Sequence, residues 1–141
     1  MSRINNQFSV GVHIMTALGD RHGEELTSTH VTASVRAHEA LVRRVLSKLV
    51  KAGLVRASRG RNGHSSLAKP PNKISLLDIY KAVDPPPVFS IHQYPEQKAC
   101  PASCTHKEAL QGILNDTQRD FENSLKKRML SEMIDRARNP G

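Results

Sequence analysis

The sequence has no tryptophan, two tyrosines, three phenylalanines and only two cysteines in 141 residues. Aromatics at 4% leave few ring faces for successive bases to stack on, which disfavours a single-strand nucleic-acid binder. Two cysteines exclude a disulfide scaffold and fit a reducing compartment. No window approaches about eighteen uncharged apolar residues, so no membrane-spanning helix is expected. The first seven residues lack the apolar stretch of a secretion signal, and a cytoplasmic location is the expectation. No phosphate-binding glycine loop, Gly-x-Ser-x-Gly or His-Glu-x-x-His occurs, and the seven histidines are scattered. No catalytic residue and no metal-ligand set is therefore assigned, and the chain is not read as an enzyme.

Acidic residues are scarce in one half only. Residues 1–75 carry 12 lysines and arginines against 4 acidic residues, while residues 76–141 carry 9 of each. The whole formal charge of +8 thus sits in the first half. A field localised in this way points to a polyanion, nucleic acid before anionic lipid.

The apolar spacing predicts a mainly helical fold with one β-hairpin. Phe8, Val12, Met15 and Leu18 share a helical face over residues 8–18, and residues 19–23 with two glycines read as a loop. Thr27, Ser28 and Thr29 offer N-cap hydroxyls to a short helix over 30–35, with Val31 and Val35 inward. A longer basic helix over 39–52 ends at Gly53, a C-cap signal. Short helix, tight turn and basic helix form a helix-turn-helix pattern. Strands over 54–58 and 64–68 flank Arg59-Gly60-Arg61-Asn62-Gly63 and form a hairpin, the wing of a winged helix. Ser75 caps a helix over 76–83 that brings Leu76, Ile79, Tyr80 and Val83 to the core. Five prolines between residues 84 and 101 mark a connector. Beyond it a helix to about residue 127 carries Leu110, Ile113, Leu114, Thr117, Phe121 and Leu125 as one stripe, close to a heptad seam. A short helix over 130–137 adds Met133 and Ile134. The expected organisation is a DNA-binding domain over 1–83, a connector over 84–101, and a dimerisation helix with a terminal helix over 102–141.

Several segments carry a family resemblance: residues 41–55, Arg59-Gly-Arg-Asn-Gly63, Leu67-Ala-Lys-Pro70 and residues 74–83. Residues 6–10, the Phe89…His92 segment and Cys100-Pro101 add to it. The chain resembles the Rrf-two family of winged helix-turn-helix transcription regulators, relatives of IscR, NsrR and CymR, and within it the YwnA branch. The resemblance covers nearly the whole chain. It is strongest in the wing and the next helix, and weakest after Thr117. It implies a winged helix-turn-helix, a homodimer built on the long C-terminal helix, and a partly palindromic double-stranded DNA operator, with repression as the expected action. A helix of roughly 25 residues on a proline connector cannot bury its apolar stripe alone, which is a physical reason for the same dimer.

Arg43 and Arg44 fall in the first turns of the proposed recognition helix, where arginine can pair with guanine O6 and N7. The alternative is a solvated charged face, and both readings need them exposed. Glu39 could accept from a cytosine amine or complement the helix N-terminus. His38 and Ala40 are further groove-facing candidates. Ser28, Thr29, Ser34, Lys48 and Lys51 are candidate phosphate contacts. The resemblance makes Arg59 the residue that enters the minor groove and Arg61 a phosphate contact. Asn62 and His64 stand where the family commonly has glycine. Cluster-binding relatives use three cysteines and a fourth ligand, and two thiolates do not complete that set. Cys100 and Cys104 are therefore a redox pair, packing residues, or a zinc pair with His92 or His106. No cofactor and no effector is assigned. Two other functions stay open at this level: a cluster- or metal-dependent sensor of the same family, and a winged-helix module that binds protein instead of DNA.

Overall fold

The two helices of the helix-turn-helix are delimited by their caps. In the computed structural model, which describes residues 6–21, 26–58, 63–92 and 101–140 (side chains at Ser28 and 101–104 excepted), Thr27 is the first of these caps. Its hydroxyl accepts the His30 N–H at 3.1 Å, so helix α2 (Ser28–Val35) starts two residues earlier than the apolar spacing implied. α2 ends at Arg36, a non-glycine residue in the left-handed region (φ 57°) whose N–H returns to the Thr32 carbonyl at 3.0 Å. Two residues later His38 caps α3 (Glu39–Lys51), its Nδ1 accepting the Ala40 N–H at 3.2 Å. The turn is only 36–38, and it fixes the entry of α3.

α3 stops at glycine for a stereochemical reason. Gly53 has φ 78°; its N–H bonds the Val50 carbonyl at 3.0 Å, and the Leu54 N–H bonds the Leu49 carbonyl at 3.1 Å. Leu49 and Leu54 are both buried, completing a Schellman motif with its apolar contact. A Cβ at Gly53 would meet no atom within 4 Å, so only backbone strain opposes a side chain there. Gly53→Ala should cost about 1 kcal/mol for the left-handed conformation. A urea titration checks it: the midpoint falls and the slope stays unchanged.

The hairpin gains a third strand. β2 (Val55–Ala57) and β3 (His64–Leu67) pair antiparallel, Val55 opposite Leu67, and β1 (Leu26–Thr27) adds to the other edge of β3 with Leu26 opposite Ser65. β1 has only two residues, too few for any alternation to show in the sequence. It ties the wing directly to the residue that caps α2.

Helix α1 (Gln7–Asp20) runs two residues past the expected limit and turns a different face inward. Val10, Ile14, Met15 and Leu18 are buried, while Phe8 and Val12 are only half-buried. Gly11 and Gly19 lie within the helix on that face, not in a loop. A Cβ on Gly11 would come to 3.2 Å from Ile79 and Val83, and one on Gly19 to 2.5 Å from Ile134. These two glycines let neighbouring helices approach, and that sets the face.

α4 (Leu76–Val83) begins in a complete capping box: Ser75 Oγ accepts the Asp78 N–H at 3.1 Å, and Asp78 Oδ2 accepts the Ser75 N–H at 3.0 Å. Ile79, Tyr80 and Val83 are buried; Leu76 is half-buried against the core. After the long α5 (Pro101–Lys126), α6 (Leu130–Arg138) returns to α1. Leu130 and Ile134 enter the core, whereas Met133 stays exposed. The Leu76 N–H bonds the Arg128 carbonyl and the Leu130 N–H bonds the Ile74 carbonyl, both at 2.8 Å. The chain divides into Met1–Pro85 with Leu125–Gly141, and Pro86–Ser124. This corrects the expected grouping of 102–141: the last helix belongs to the winged unit, because its two apolar side chains fill that core.

Candidate nucleic-acid interface

α3 separates its side chains sharply. Val42, Val45 and Leu49 are buried, while Ala40, Arg43, Arg44, Ser47 and Lys51 are exposed. Arg36 in the turn and Arg56 on β2 are exposed as well, on the elements that precede and follow α3. Neither was singled out from the sequence. Strand alternation opposite buried Val55 was the available signal for Arg56. Glu39 is the one acidic residue between Leu26 and Ser75. It pairs with Arg43 one helical turn on, both side chains largely in water. Such a pair is worth little to stability, about 0.3–0.5 kcal/mol, but it orients the guanidinium along the exposed face. Glu39 thus acts on Arg43 as well as on the helix N-terminus.

The other expected contacts divide. Thr29 is exposed near the positive end of the α2 dipole. Ser28 opens α2, and its side chain is outside the described residues. His38 is exposed, yet its Nδ1 is committed to the α3 cap. Ser34 lies on the flank of α2 that faces α1 and α6, lining a recess of about 240 Å³ with His13, Asp20 and Arg138. That places it apart from the exposed row of α3. Lys48 is engaged within the protein. Its Nζ donates to Gln7 Oε1 at 2.7 Å and to the Val83 carbonyl at 3.2 Å, so it is turned inward. Lys48 follows Val45 by three residues and therefore shares the core-side face with it. Arg59 and Arg61 lie outside the described residues. The strands on either side are closed by the Ser58 N–H to the His64 carbonyl at 2.9 Å and the His64 N–H to Ser58 Oγ at 3.1 Å.

On α5, Ile113, Thr117 and Phe121 are exposed, and Leu110, Leu114 and Leu125 are half-buried. Thr117 donates its hydroxyl to the Ile113 carbonyl at 2.9 Å, which satisfies the hydroxyl within the helix. Cys100 lies outside the described residues, and Cys104 is on α5 with its side chain undescribed.

A buried helix-turn-helix core, an exposed basic second helix and a strand pair after it are the geometry of a winged helix. Residues 4–136 match the family model Rrf2 (Rrf-two), described as iron-dependent transcriptional regulator. The chain belongs to the Rrf2 family. It is 34% identical to the HTH-type regulator named YwnA of Bacillus subtilis (strain 168) over 133 residues, 93% of this chain and 96% of that one. A crystal structure of a protein described as DNA-binding superposes with a TM-score of 0.74 at 30% identity, covering 91% of this chain and 98% of the other. CymR, the global cysteine regulator of B. subtilis, superposes with a TM-score of 0.68 at 20% identity, covering 96% and 98%. The Rrf2 chain is accordingly a winged-helix transcription regulator, and its family is one of regulators, not enzymes. Among the described residues no helix is long and apolar enough to cross a membrane.

The family description names iron, and the thiols of this Rrf2 chain are Cys100 and Cys104. The two cysteines, four positions apart in sequence, are one fewer than the three thiolates that the resemblance gives to cluster-binding relatives. Among the described residues no three of His, Cys, Asp and Glu converge.

Proposed function

We propose that this Rrf2 protein is a homodimeric repressor that reads a partly palindromic duplex operator through α3 and works without an iron–sulfur cluster. The observation that carries the reading is the exposed α3 row of Arg43, Arg44 and Lys51, with Glu39 as the sole acid and oriented on Arg43. Arg43 and Arg44 are the base-reading candidates; Thr29, Lys51, Arg56 and the wing residues Arg59 and Arg61 are phosphate or groove contacts. Two copies joined along the α5 stripe would present two such faces, matching half-sites a helical turn apart, roughly 34–36 Å. Occupying a promoter is sufficient for repression and asks for no further contact surface. Cys100 and Cys104 are the only thiols, so an oxidant acting on cysteine would act near the start of α5.

Selection of duplexes from a random pool by the purified protein tests the reading. A palindromic sequence should be enriched, with binding that falls steeply with salt. Arg43→Ala should then relax selection at one or two positions, by roughly 1–3 kcal/mol each. An Arg43→Ala protein with unchanged affinity and preference would place the reading face elsewhere. Failure to enrich any duplex favours a protein-binding module.

A further inference from the structure

The core residues of α3 hold it by apolar contact, which resists separation but is non-directional. Packing limits the rolling and sliding of α3 on α1 and α4, and directional bonds restrict them further. Lys48 supplies two. Its ammonium reaches Gln7 Oε1 at the start of α1 and the carbonyl of Val83, the last residue of α4. The second acceptor is well matched, because the C-terminal carbonyls of α4 lack helical partners and carry the negative end of its dipole. α4 ends in left-handed Asp84, whose N–H goes to Lys81, which leaves the Val83 carbonyl to Lys48. Three helices thus meet on one flexible side chain whose rotamer freedom is costly to remove.

We propose that Lys48 is a positioning residue for DNA reading: it locks the roll of α3 against α1 and the end of α4, and makes no contact with DNA itself. The inference rests on α3 being the reading helix. It also gives a meaning to the place of its acceptor. Val83 is the last helical residue before Pro85, Pro86 and Pro87, a stiff segment that leads to Val88, whose N–H is held by Gln118 of α5. Any pull on that segment acts on the group Lys48 grips.

The experiment compares binding of the palindromic duplex selected by the wild-type protein with binding of a scrambled duplex of equal length, over a salt series. Lys48→Met keeps the stem and removes the bonds. Gln7→Met leaves the charge of Lys48 in place and removes one acceptor. Positioning predicts that the ratio of selected to scrambled affinity falls about tenfold in Lys48→Met, the size expected for losing a charged hydrogen bond that sets geometry. It predicts a smaller fall of the same kind in Gln7→Met, about threefold for a neutral partner. The salt slope should stay as in the wild type in both. A phosphate contact predicts the opposite: Lys48→Met weakens both duplexes equally and lowers the slope by about 0.9, and Gln7→Met changes nothing. That outcome overturns the inference and leaves the DNA-binding reading intact. If the wild type selects no duplex, the DNA-binding reading fails first. Thermal unfolding of each variant shows that the winged unit is folded during the measurements, and a Gln7→Met protein with native stability and native discrimination also overturns the inference.

Discussion

Replacing Ile113 by aspartate should convert the proposed dimer to monomer and weaken operator binding by about a hundredfold or more, because two linked half-site contacts become independent. Ile113 is 62% exposed in the single chain, the most open large aliphatic side chain of the α5 stripe. Burying an aspartate in a helix–helix seam leaves an unpaired charge away from water, a cost that a contact of this size does not offset. Leu114→Asp, on the adjacent position of the stripe, should behave in the same way. Sedimentation velocity reads the assembly and the selected duplex reads the affinity. Residues 113 and 114 belong to the unit Pro86–Ser124, so the winged unit should keep its thermal transition in both variants. A dimeric Ile113→Asp protein would show that the seam runs elsewhere.

A chain ended at residue 127 should lose the cooperative transition of the winged unit. The truncation removes Leu130 and Ile134, both fully or nearly buried, at about 1.5–3 kcal/mol each. It also removes the two backbone bonds that join 128–130 to 74–76, and it uncovers Gly19, which faces Ile134. The Arg138–Asp20 pair at 2.7 Å is lost too, but both groups are half in water and add little. The apolar loss alone is about 3–6 kcal/mol, a large part of the roughly 5–15 kcal/mol that holds a domain together. A point change tests the same joint with the chain intact. Gly19→Val would place a branched side chain where even a Cβ comes to 2.5 Å from Ile134, and should displace α6. A truncated protein that melts as the full chain does would show that α6 is dispensable.

These results mark where the sequence was legible. α4 and its cap were readable to the residue, because Ser75 and Asp78 form a local box and the breakers on both sides are prolines. The end of α3 was equally plain at Gly53. What stayed hidden was set by tertiary packing. The spacing of Phe8, Val12, Met15 and Leu18 is a sound helical face, yet Gly11 and Gly19 admit α4 and α6 on another, and glycine contributes nothing to an apolar stripe. α6 was recognisable as a helix, but nothing local says which core Leu130 and Ile134 enter. Lys48 was a candidate phosphate contact because the apolar positions of α3 leave it outward, and its bonds to Gln7 and Val83 are tertiary contacts that no local pattern shows. Glu39 and Arg43 were both singled out, and their pairing follows from i,i+4 geometry. Ser34 was taken by residue type alone, and type does not tell one flank of α2 from the other.

The return of α6 to α1 also sets an order of events during synthesis. The ribosome makes the turn, α3 and the hairpin first, yet their core lacks Leu130 and Ile134 until α5 has been translated. At about 5–20 residues per second, the stretch from Val83 to Leu130 takes roughly 2–10 s. Through that interval a nascent chain has the helix of the proposed dimer in synthesis and a winged unit still unclosed. On the proposed function, pairing of chains would then begin before either partner is competent to hold an operator, and a half-made monomer would have no finished surface with which to occupy one.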